Sequence, residues 1–333
     1  MKARILRQDK LLSLASAILQ DHELVAPVDD SSYQVIRSAE EFFLSDDKHA
    51  RSPKECAFPQ REVLLQYITS AEGVKVDPPS ESAAERVLFG IRPCDAAAFG
   101  VVDRVFGWDD VDTLYFARRE RMTVISIACQ EPRNTCFCTS LGGSPAGIEG
   151  SDLLLTMLRD AYHVQVITER GQQLVKRYDG LFEESEQRHN RERASIEDVL
   201  REKIAEFVDL RDLEEQIDFA SPIWEKLTQE CVDCGICTFL CPTCHCFDIQ
   251  DEGNPDRGER VRLWDACMFY EYTKTHAGQP RATHAQRYRQ RIMHKFQYYP
   301  RNFGKVLCVG CGRCIQHCPV NIDLRKVLRA VRG

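Results

Sequence analysis

Two stretches of this chain repeat one pattern of thiols: Cys231-x2-Cys234-x2-Cys237-x3-Cys241-Pro242 and Cys308-x2-Cys311-x2-Cys314-x3-Cys318-Pro319. Three closely spaced cysteines, then a fourth followed by proline, is the spacing that holds [4Fe–4S] cubanes in two-cluster proteins, where the fourth cysteine ligates the other cluster. Zinc knuckles need two cysteine pairs split by a spacer, which neither run provides. The expected chemistry is therefore one-electron transfer through two [4Fe–4S] clusters. Cys231, Cys234, Cys237 and Cys318 would hold the first, and Cys308, Cys311, Cys314 and Cys241 the second. Crossed ligation of this kind requires the two segments that end in Cys-Pro to pack side by side. The prolines cannot continue a hydrogen-bonded helix and turn the chain away after the last ligand.

Eight of the sixteen cysteines lie outside these runs. Cys94 follows one apolar strand candidate, 86–91, and Cys129 ends another, 122–128; Cys136 and Cys138 come shortly after. Ligand sites converge at strand ends in α/β domains. These four thiols could thus hold a third iron–sulfur cluster, with Asp95 as an alternative oxygen ligand. The competing reading is that they pack as small hydrophobes. Cys244, Cys246 and Cys267 read as soft neighbours that shield the first run, and Cys56 as an idle buried thiol.

The elements that must position these residues fall into three segments. Residues 1–180 read as a mixed α/β domain with cysteine-bearing loops at its strand ends. Short strands are expected at 24–28 and 33–36, buried ones at 86–91 and 122–128, and a helix at 93–106. Segments 162–168 and 173–178 read as a hairpin around Gly171. Leu11, Leu12, Ala15, Ile18 and Leu19 recur at helical spacing, which makes the N-terminal apolar stretch an amphipathic helix and not a cleaved signal. Residues 181–230 form a charged helical connector, and 231–333 an α-helical ferredoxin-like domain with the two [4Fe–4S] motifs and an insertion between them. Within that insertion Arg281, Arg287, Arg289, Arg291, His294 and Lys295 form a basic run. It either docks an acidic partner or balances the charge of thiolate-bound clusters.

With 333 residues and a net charge of −7, the overall charge argues against a nucleic-acid partner. No apolar stretch approaches the roughly 20 residues a membrane span needs. Sixteen thiols, half of them in cubane spacing, suit a reducing, cytoplasmic setting. Neither a GxGxxG fingerprint after a strand nor a P-loop is present. A chain of clusters without a substrate site calls for redox partners.

Several blocks resemble the iron–sulfur beta subunits of cytosolic NAD(P)-linked NiFe hydrogenases of the sulfhydrogenase type. They are the stretch from Cys237 to Asp248 (Cys-Thr-Phe-Leu-Cys-Pro-Thr-Cys-His-Cys-Phe-Asp), Arg262 to Phe269, His294-Lys295-Phe296, Cys308 to Cys314, Gly90 to Asp95, Arg118-Arg119-Glu120 and Thr135 to Cys138. The resemblance covers most of 85–333, and the corresponding electron-transfer subunit of anaerobic sulfite reductase is similar to the same group. It implies a non-catalytic electron-transfer subunit of a hetero-oligomer. On one side would sit an FAD- and NAD(P)H-binding subunit, and on the other the small and large hydrogenase subunits, or sulfite reductase subunits in the alternative. A redox sensor or scaffold is the reading from another class. Sensors need a labile, incomplete ligand set, and both runs here are complete.

Overall fold

The structure, a computed structural model, describes residues 3–45, 49–79 and 84–332. Strands β1 (Arg4–Arg7), β2 (Glu23–Pro27) and β3 (Tyr33–Ile36) are followed by a hairpin of β4 (Arg61–Ser70) and β5 (Gly73–Asp77). Then come β6 (Arg86–Ile91), β7 (Met122–Ile127), β8 (Leu153–Met157), β9 (Ala161–Val166) and the short β10 (Glu183–Glu184). A second hairpin, β11 (Phe247–Gly253) and β12 (Arg257–Trp264), lies between the two cysteine runs.

The larger sheet has the order β10-β1-β9-β8-β7-β6-β2-β3. Its centre, β2, β6, β7 and β8, is parallel, and its flanks are antiparallel. Parallel strands need cover on both faces, and alternate residues supply it. Val87, Phe89 and Ile125 pack against Leu14, Ala15 and Ile18 of the helix Leu11–Asp21. Leu88, Ile91 and Val124 face Ala96, Phe99 and Val102 of the helix Pro93–Phe106. Each large side chain so buried contributes about 1.5–3 kcal/mol. Because β6 and β7 run parallel, both end at the same edge, and there the chain delivers Cys94 and Cys129.

Most elements fall where the apolar patterns predict them; the 162–178 hairpin does not. Residues Ala161–Val166 do form β9, paired with β8, but Glu169–Arg177 is a helix. Thr168 caps it by accepting from the Gly171 amide, and Leu174 and Val175 bury one face. The cap and the helical spacing of Leu174 and Val175 decide for a helix. The connector also divides. Its helix Gln187–Glu202 packs against the large sheet, where Asn190 meets His163. Val208, Leu213, Ile217 and Trp224 join the apolar core around the cysteine runs.

Residues 231–333 are not helical throughout. Hairpin β11–β12 pairs with β4, giving a second, antiparallel sheet of order β11-β12-β4-β5 that joins residues 61–77 to residues 247–264. Arg262 of β12 is buried among the rings of Phe58, Phe106 and Phe247. Its guanidinium donates to Glu62 and Asp112, and Arg118 donates to Glu62 as well. Buried charges persist only when paired in this way.

Candidate metal centres

Each cysteine run loops before a short helix, Ile236–Phe239 in the first and Arg313–Gln316 in the second. The second run is pressed onto the loop that carries Cys136 and Cys138. Gly310 and Gly312 have φ of +63° and +75°, and a Cβ on either would stand 2.5–2.6 Å from backbone atoms of that loop. Only glycine allows both the turn and the approach. Phe137 N–H donates to the Gly310 carbonyl at 2.9 Å, and the Cys136 thiol lies 3.8 Å from the Cys311 carbonyl oxygen.

The two runs enclose two adjacent cavities. One is lined by Cys231, Cys234, Cys237 and Cys318, the other by Cys241, Cys308 and Cys311, and Cys314 borders both. Each cavity thus gathers thiols of one run together with the last cysteine of the other. Among the described residues, no three His, Cys, Asp or Glu side chains form a group fit for a single metal ion. Thiols that share a four-iron cube stand farther apart, at its corners. Burial pushes the Cys231 and Cys237 thiols up, and Cys308 up to about 11. Metal binding to such thiols displaces their protons.

The basic run resolves into inward and outward residues. The helix His284–Met293 continues through a π-helical turn, His294–Tyr298, and places Arg287, Arg291 and Lys295 at i, i+4 and i+8, all buried. Arg287 pairs with Asp233 in the first run. Arg291 borders both cavities and donates to the Cys237 carbonyl at 3.2 Å, while its Nε has no partner. Lys295 Nζ lies 3.4 Å from Cys241 Sγ and donates to Thr243 Oγ1 at 3.1 Å and the Leu307 carbonyl at 3.0 Å. Burial opposes its charge, but the neighbouring Cys241 and Cys244 outweigh it and push its pKa up. A hydrogen bond from Cys244 and the field of Lys295 hold the Cys241 thiol well below its ordinary range. Buried cations beside thiols, one with an orphaned N–H, are what an enclosed anionic group requires. Thiolate-bound iron–sulfur clusters are such groups, and the residues present fit them. Arg289, by contrast, lies over the Phe219 ring at 3.5 Å and is not part of this set.

At the end of β6, Cys94 begins the helix Pro93–Phe106 beside Asp95. Both carboxylate oxygens of Asp95 accept from Arg313, at 2.5 and 2.8 Å, and both side chains are 0% exposed. Asp95 is thus the counter-ion of Arg313. Cys94, Cys136 and Cys138 are buried and Cys129 is half-buried at the end of β7. Sequence reasoning missed the Asp95–Arg313 pair. Its signal was an arginine between Cys311 and Cys314 and an aspartate directly after Cys94.

Cys244 is hydrogen-bonded to Cys241, and Cys246 to Cys267. Lys54 donates to the Cys244 carbonyl at 3.0 Å and sits 4.0 Å over the Trp264 ring. Burial pushes the His245 imidazole down to about 4 and His294 to about 3, so both rings are neutral near pH 7. For Cys56, burial pushes the thiol up to about 12, which suits an idle residue.

Residues 230–322 match the 4Fe-4S dicluster domain. The class is therefore an iron–sulfur protein whose clusters reside in the segment that forms the two cavities. Over 311 residues, 90% of this chain and 88% of the other, the sequence is 29% identical to sulfhydrogenase 2 subunit beta of Pyrococcus furiosus. The chain is a relative of the iron–sulfur beta subunit of sulfhydrogenase. No solved structure matches it. No helix among the described residues is long and apolar enough to cross a membrane.

Proposed function

We propose that the chain is the electron relay of a hydrogenase-type complex, passing electrons between a NiFe hydrogenase module and a subunit that binds FAD and NAD(P)H. Two [4Fe–4S] clusters supply the one-electron chemistry, held by Cys231, Cys234, Cys237 and Cys318 and by Cys308, Cys311, Cys314 and Cys241, in a ferredoxin-like module that carries the β11–β12 hairpin as its insertion. The observation that carries this reading is the grouping of each run's thiols with the last cysteine of the other around adjacent cavities. Arg291 and Lys295 balance the buried negative charge, and apolar neighbours such as Met268, Ile322 and Leu324 keep water out. Cys234 is the one exposed cysteine of the sixteen, and Val232 beside it is 59% exposed. The first centre therefore lies where a partner can approach it. Anaerobic purification with identification of the bound subunits tests the assignment. Recovery of flavin and NiFe subunits is the expected result, and recovery of sirohaem sulfite reductase subunits would replace it with the alternative.

The same reading extends to a third cluster held by Cys94, Cys129, Cys136 and Cys138. It is supported by the burial of three of these thiols and by the seat of Cys136 and Cys138 against the second run. Anaerobic protein should then contain about twelve irons, falling to about eight in the Cys94→Ser/Cys138→Ser variant. About eight irons in both proteins would remove the third cluster and leave the first two.

A further inference from the structure

We infer that Arg291 and Lys295 set the redox potentials of the bound clusters, Arg291 acting on both and Lys295 only on the one that Cys241 completes. This rests on the two-cluster reading above. Reduction adds one electron to a cluster and makes or breaks no bond, so its free energy depends on the charges fixed around the site. In a poorly polarisable interior a nearby cation favours the more negative, reduced state, and its influence falls with distance.

Among the described residues, the buried cations Arg287, Arg291, Lys295 and Arg313 lie in or against the cysteine runs, whereas buried Lys54 and Arg325 border neither cavity. Two of the four are neutralised: Arg287 by Asp233 and Arg313 by Asp95. Arg291 and Lys295 have no carboxylate within ion-pair reach among the described residues, so their charges act on the clusters undiminished. Arg291 is 3% exposed, borders both cavities and keeps an unpartnered Nε–H. Guanidinium does not lose its proton in a protein, so this charge is permanent. Lys295 borders only the cavity of the second run, with its ammonium at the Cys241 sulfur. The π-helical turn at His294–Tyr298 is the local feature that carries Lys295 there, and such turns concentrate at functional sites. The helix thereby lays a fixed row of charge along two centres, with one member common to both.

The test is a potentiometric titration of the anaerobic full-length protein, followed by EPR, with iron quantified in each sample. Wild type should show two cubane couples in its cluster domain; if it does not, the two-cluster reading fails before any variant is considered. Given those couples, Lys295→Gln should lower the midpoint potential of one, and Arg291→Gln should lower both. The charge-keeping variants Lys295→Arg and Arg291→Lys should stay near wild type, which a purely structural role would not predict. Unchanged potentials in the neutral variants at full iron content would overturn the inference. So would equal shifts in neutral and charge-keeping variants. If a neutral variant assembles without iron while its charge-keeping partner retains both iron and potential, the requirement for the charge is supported.

Discussion

Cys241→Ser is expected to remove the cluster of the second run and spare the cluster of the run in which Cys241 lies. Cys318→Ser should do the converse. The reason is geometric: the Cys241 thiol faces the cavity bordered by Cys308, Cys311 and Cys314, and Cys318 faces the one bordered by Cys231, Cys234 and Cys237. In each single variant about four irons should be lost, since a serine replaces one thiolate corner of a single cubane. Pairs of substitutions separate this arrangement from uncrossed ligation. Cys237→Ser with Cys318→Ser strikes one cluster only, and should leave the other with an intact EPR signal. Cys237→Ser with Cys241→Ser strikes both. Uncrossed ligation requires the opposite: the pair within one run would remove one cluster, and the pair split across runs would remove two. Iron, acid-labile sulfide and the EPR spectrum after reduction decide between them.

Crossed ligation is an expectation from spacing, a local property: a fourth cysteine followed by proline leads the chain away from its own cube. The buried strands and the helix Pro93–Phe106 were legible for a similar reason, since continuous apolar runs and a proline at the first helical position are local signals. What escaped the sequence is long-range. Nothing in the alternating charged residues of β11 and β12 says that their partner strand is β4, some two hundred residues earlier. The helix after Thr168 was missed because Gly171 reads as a turn between two strands, whereas its amide is in fact what the Thr168 cap accepts from. The basic run could be read either as a surface or as a counter-charge, because one-sided charge on a helix looks the same in both cases. Burial of Arg287, Arg291 and Lys295 separates the two. The seat of the second run on the 135–138 loop was likewise invisible, because the Gly310 and Gly312 approach to that loop joins segments far apart in sequence.

Arg313→Leu should be the most damaging substitution outside the cysteines, lowering stability by about 3–5 kcal/mol, because it leaves Asp95 as an uncompensated charge in a fully buried site. The guanidinium also donates to the His49 carbonyl at 3.0 Å and the Arg51 carbonyl at 3.4 Å, so the loss reaches the 49–51 segment. Asp95→Leu should cost a comparable amount by stranding the cation instead. The double variant Asp95→Leu/Arg313→Leu should recover most of either loss, since an apolar pair of similar volume replaces a buried ion pair at little net cost. Chemical denaturation of anaerobic protein measures all three. Additive losses in the double variant would mean that the two side chains stabilise the fold independently, and that the pair does not dock the second run on the sheet. Iron content adds a second, independent reading. Arg313 stands between Cys311 and Cys314, so its loss should loosen the second cluster first, while the cavity of Cys231, Cys234 and Cys237 keeps its iron.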